Sequence, residues 1–106
     1  MRYQSSQMFV VTVNALPGQG VSELSDYGGA SVNCWVLVAS AEEAVVRSKA
    51  AVREARWVPE SIESVSVVSS GDYSGDHTGR QYFEQALVDG IVVVFHTWPH
   101  GSPEHH

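Results

Sequence analysis

Hydrophobic positions first alternate in Met8–Ala15, MFVVTVNA. Phe9, Val11 and Val13 fall on one side, Met8, Val10 and Thr12 on the other, a period of two that predicts a strand. Ser31–Ala39, SVNCWVLVA, repeats the pattern. Val32, Cys34, Val36 and Val38 share one face; Asn33, Trp35 and Leu37 share the other. Between them, Leu16–Ala30 carries Pro17, Gly18, Gly20, Gly28 and Gly29. That stretch reads as a long loop with room for one helical turn near Ser22–Asp26. Long loops within compact domains are commonly functional or mobile.

The period then changes. Ser40-Ala41-Glu42-Glu43 is a capping box, in which Ser40 accepts from the Glu43 amide and the Glu43 carboxylate reaches back. Ala41, Ala44, Val45, Ser48, Ala51, Val52 and Ala55 recur at helical spacing, which predicts a helix from Ala41 to about Trp57. Pro59 is expected to stop it by pushing Val58 out of the helical region. Ser61–Ser69 predicts a third strand with one weakly apolar face. A polar loop, Ser70–Gly79, leads into a short helix, Gly79–Asp89. Thr78 to Gln81 offers that helix a cap, Gly90 a stop, and Tyr82 or Phe83 with Ala86 and Leu87 a buried stripe. Ile91–Trp98, IVVVFHTW, is apolar on both faces until His96, which predicts a central strand.

The order β-β-α-β-α-β predicts an α+β domain: a four-stranded sheet with two helices on one face. The nearest common architecture is a ferredoxin-like plait, from which this order departs by lacking a helix between the first two strands. An uncovered second face invites association, and Trp35 and Leu37 on it would make a homodimer contact apolar.

At 106 residues the chain holds one core, and residues 1–106 are expected to form a single domain with loose ends at 1–7 and 100–106. The terminal His105-His106 pair carries no weight here, because the sequence does not tell whether it is native. No apolar run is long enough to span a bilayer, and no segment of signal-peptide length follows the first residues. The single cysteine, Cys34, fits a reducing cytoplasm.

Formal net charge is -6. It is concentrated after residue 59, where Glu60, Glu63, Asp72, Asp76, Glu84, Asp89 and Glu104 face Arg80 alone. Phosphate backbones and anionic membranes need clustered cations, so nucleic acid and membrane are excluded as expected partners. A basic protein partner is favoured electrostatically.

Chemistry-bearing motifs are sparse. Asp72-Tyr73-Ser74-Gly75-Asp76-His77 is the densest polar cluster. It fails the calcium-loop template, and its Asp side chains serve equally well as turn caps. His77, His96 and His100 follow no zinc spacing, so no metal and no cofactor are expected. The Gly18-Gln19-Gly20 stretch lacks the lysine and hydroxyl of a phosphate loop. Cys34 sits mid-strand without a cation or helix start nearby, as a small buried hydrophobe would. His96, beside Thr97 and Trp98 at a strand end, is the one candidate catalytic base.

Two functions follow as expectations. The first is a non-enzymatic interaction module that neutralises a basic protein partner, as immunity-type proteins do, through Asp72, Tyr73, Asp76, His77, Glu84 and Trp98. The second is a cofactor-free enzyme or small-molecule binder. It would act as a homodimer, with a pocket between sheet and helices, His96 as base and Trp98 and Tyr82 as walls. An exposed His96 with no cavity beside it would count against the second.

Overall fold

The computed structural model describes residues 5–100. The expected order holds: β1 (Gln7–Pro17), β2 (Tyr27–Val38), α1 (Ala41–Glu54), β3 (Trp57–Val68), α2 (His77–Asp89) and β4 (Ile91–Pro99). Short 3-10 turns lie at Ser22–Leu24 and Ser70–Tyr73. The sheet is antiparallel with strand order β3-β1-β2-β4, an α+β arrangement.

β1 and β2 form the central hairpin, with Val11 opposite Cys34 and Thr12 opposite Asn33. Both strands run further into the expected loop than the sequence implied, so the hairpin connection shrinks to residues 18–26. Gln7, expected in a loose terminus, opens β1, and the His100 amide donates to the Asp26 carbonyl at 2.7 Å. The remainder of those ends, residues 1–4 and 101–106, lies outside the described residues.

Ser40 caps α1 as expected, its hydroxyl accepting from the Glu43 amide at 3.2 Å. Ala44, Ser48 and Val52 are buried beneath the helix, and their small side chains bring it close to the sheet. The helix ends before Trp57, and Pro59 is not the cause. Arg56 adopts a left-handed backbone conformation, φ 71°, and its carbonyl accepts from the Gly18 amide at 3.0 Å. A Cβ on Gly18 would collide with that carbonyl, so glycine is required there. Trp57 then opens β3, and Pro59 sits inside the strand opposite Ala15. An edge strand tolerates proline because its outward amide has no partner to lose.

The two helices do not share a face. Phe9, Val11, Val13, Val32, Cys34 and Val36 form one cluster with Ala44 and Val52 of α1. Met8 and Trp35, with Val10 and Leu37 against them, form a second with Phe83 and Ala86 of α2. Alternation sends these two sets to opposite sides of the sheet. The expected single helical layer is therefore wrong, and the plait's one-sided layer with it. The physical reason is that β1 and β2 are apolar on both sides at their Met8/Leu37 end. Two exposed apolar faces need two covers.

β4 is likewise an edge strand, not a central one. Its two-sided apolarity answers to the edge of the first cluster on one face, where Phe95 meets Trp57, and to α2 on the other. Trp35 and Leu37 lie under α2, so they make no open dimer surface.

Candidate functional site

α2 crosses only one end of its face of the sheet. Where its cover stops, the sequence turns polar. Val10 gives way to Thr12 and Asn14, Trp35 to Asn33 and Ser31, and Val94 to His96. Paired registers align Ser61, Asn14, Ser31 and His96 in one row across all four strands. Thr12 Oγ1 donates to Asn33 Oδ1 at 2.9 Å, and Asn14 Nδ2 donates to Ser61 Oγ at 3.2 Å. This is a solvated sheet face whose side chains satisfy one another.

His96 is exposed on that face, and neither described cavity includes it. Trp98 lies on the same face, folded over Gly29. A Cβ there would stand 2.6 Å from the Trp98 ring. Tyr82, expected as the second wall, instead packs against Trp35, with ring centroids 5.0 Å apart and the planes tilted by 46°. His96 is four residues along β4 from Val92, which α2 covers; that is about 13 Å of strand. Among the described residues, His96, Trp98 and Tyr82 are not brought together as the expected pocket between sheet and helices.

The acidic candidates gather elsewhere, on the 3-10 turn and the start of α2. Asp72 accepts from the Ser69 amide at 2.7 Å, closing a capping box. Asp76, not Thr78, is the N-cap of α2, accepting from the Gly79 amide at 2.9 Å. The helix therefore begins at His77, which is exposed. Asp76 wins because its carboxylate is both a strong cap and an anion at the positive helix end. Gly79 is buried against Tyr73: a Cβ would come within 2.6 Å of that ring. Tyr73 packs on Phe83 and accepts a hydrogen bond from Trp35, so it is part of the scaffold. Asp72 and Asp76 are exposed despite their capping bonds.

Further along α2, Glu84 and Asp89 are exposed, with Gln85 donating to Asp89. Leu87, expected in the core, is 50% exposed and Val88 is 80% exposed. The sequence reading missed Val88 and misplaced Leu87. Phe83 and Ala86 fix the buried line of the helix, and a residue one step on from Ala86 turns about 100° away from it. Leu87 is also one turn on from Phe83, so it lies at the margin of the buried stripe, whereas Val88 faces away from it.

The hairpin connection forms an open depression of about 620 Å³, lined among others by Leu16, Val21, Leu24, Tyr27 and His100. Gly20 takes φ 76° at its turn. Cys34 is fully buried beneath α1. Burial pushes its thiol up, and the neighbouring Ser48 hydroxyl, which donates to the Ala44 carbonyl at 2.7 Å, partly offsets the shift. Among the described residues, no three His, Cys, Asp or Glu side chains group so as to hold a metal ion. No helix among them is long and apolar enough to cross a membrane.

No family model, no curated protein and no solved structure matches this chain.

Proposed function

We propose that the chain is a non-enzymatic interaction module of the cytoplasm whose outer α2 face takes a basic protein partner. One observation carries the reading. α2 turns two aliphatic side chains, Leu87 and Val88, to solvent beside the carboxylates of Glu84 and Asp89. Exposed aliphatics beside a majority of acids, with Arg80 the one Lys or Arg on the helix, have the composition of a contact patch: apolar burial supplies affinity, and the acids select a cationic partner and speed its approach. Asp72 and Asp76 extend the same charge along the preceding turn. Neutralisation of a basic effector, as immunity-type proteins achieve, is the concrete form this takes.

The test is affinity capture from extracts of the source cells, with bound proteins identified by mass spectrometry. The wild type is compared with a Leu87→Ser/Val88→Ser variant and a Glu84→Lys/Asp89→Lys variant. A basic protein retained by the wild type, released by high salt and lost with both variants supports the reading. Equal capture by all three forms overturns it.

A further inference from the structure

We infer that the outer edge of β4, which pairs with no further strand among the described residues, is an assembly surface and that its occupant is a second copy of this chain, paired antiparallel to it. The sheet has two edges, and they are built differently. β3 carries Pro59 and two register shifts against β1, which leave Glu60 and Glu63 out of the ladder. Proline, bulges and charge are the devices by which sheets discourage edge pairing. β4 has none of them over Ile91–Trp98. No Asp, Glu, Lys or Arg lies between Gly90 and Pro99, and pairing with β2 is regular from Gly29 to Val36.

The backbone of that edge can be assigned. The Leu37 amide donates to the Gly90 carbonyl at 3.0 Å. Antiparallel ladders alternate between bonded and unbonded pairs. Val92, Val94 and His96 therefore turn their amides and carbonyls to β2, while Val93, Phe95 and Thr97 turn theirs outward.

Both hydrophobic clusters also end open on this strand. Ile91, Val93 and Phe95 are half-buried on the α1 side, and Val92 and Val94 are half-buried on the α2 side. Five consecutive apolar residues, half-covered on both faces, mark a core that stops at an unfinished boundary. A strand added there extends both clusters at once.

The occupant follows from charge and symmetry. A two-fold axis through Val93 sets Ile91 against Phe95 and Val92 against Val94, each on its matching face. Such an isologous contact needs only one self-complementary patch. Two chains that each carry -6 meet with least repulsion along an uncharged seam, and β4 is that seam. This contact is separate from the outer face of α2, so it does not depend on the function proposed above.

The experiment combines light scattering on the eluting full chain with amide hydrogen exchange, both across a range of concentrations. The expected result is a species of twice the 11.5 kDa chain mass. In it the Val93 and Phe95 amides exchange slowly, and they become fast on dilution to monomer. Val93→Pro, which removes an outward amide that β2 does not use, should shift the species to monomer. Val67→Lys on the β3 edge should not. A monomer at every concentration overturns the inference. So does a dimer in which the Val93 and Phe95 amides remain fast, or one that Val67→Lys dissolves. The exchange measurement uses the wild type alone, so it decides the matter even if Val93→Pro fails to fold.

Discussion

The Trp35 indole N–H donates to the Tyr73 hydroxyl at 2.9 Å, joining the middle of β2 to a turn 38 residues later. Trp35 is nearly buried and Tyr73 half-buried, so the bond fastens the α2 layer to its sheet face. Tyr73→Phe keeps the ring on Phe83 and removes only the acceptor. It should cost about 1 kcal/mol in urea unfolding, the usual net worth of such a bond. Tyr73→Ala, which also loses the ring, should cost more. A Tyr73→Phe protein as stable as the wild type would mean that water replaces the phenol.

Asp76 carries two separable roles, a cap and a charge. Asp76→Ala should lower stability by about 0.5–2 kcal/mol, because the Gly79 amide loses its acceptor. Asp76→Asn keeps the cap and removes the charge, so it should stay close to wild type in thermal unfolding. The pair therefore separates folding from partner binding. Loss of capture by Asp76→Asn at unchanged melting temperature would assign the charge to the interface.

How far the sequence speaks can be judged at particular residues. Ser40 announced α1, because a capping box is local chemistry. The alternation of Val11, Val13, Val32 and Cys34 announced the α1 side of the core. The second layer was written in Met8, Val10, Trp35 and Leu37, but as a pattern shared between strands whose pairing a single segment does not reveal. Ile91–Phe95 looked central because apolarity on both faces records two covers, and says nothing of neighbours in the sheet. The end of α1 lay in a tertiary contact, Gly18 to Arg56, and could not be found from Pro59. At Asp72 and Asp76 the sequence leaves cap and site unseparated, because capping and binding draw on the same residue types.

Cys34 makes stability depend on pH in the alkaline range. Burial raises its folded pKa above the value near 8.5 expected for an unfolded chain. Between the two, the unfolded state has released a proton that the folded state keeps, so stability falls as pH rises. The contribution is fully present below about pH 8.5. Cys34→Ala lacks this effect but shares every other titrating group. Urea midpoints at pH 7.5 and pH 10 should therefore fall further for the wild type than for the variant. Equal losses would mean that the thiol ionises freely in the folded protein. Labelling of the native thiol at pH 8 should run roughly a thousandfold slower than in urea, since it needs a substantial opening.

Gly29 and Trp98 are coupled by exclusion. The Trp98 ring occupies the space that any side chain at position 29 would need, with its Cζ2 2.6 Å and its Cε2 2.9 Å from an added Cβ. Gly29→Ala must therefore push the ring off the sheet or bend β2 locally, and overpacking of this kind costs about 1–3 kcal/mol. Removing the ring removes the conflict. In a Trp98→Ala background, Gly29→Ala should cost nothing. It should even stabilise by up to about 1 kcal/mol, because glycine within a strand gives up more freedom on folding than alanine. The double-mutant cycle should then return a coupling of at least about 1 kcal/mol. If Gly29→Ala costs the same in both backgrounds, its penalty comes from the backbone of β2 and not from Trp98. The ring would then be free to move from this face, and the polar row from Ser61 to His96 would be more open than the folded-down indole leaves it.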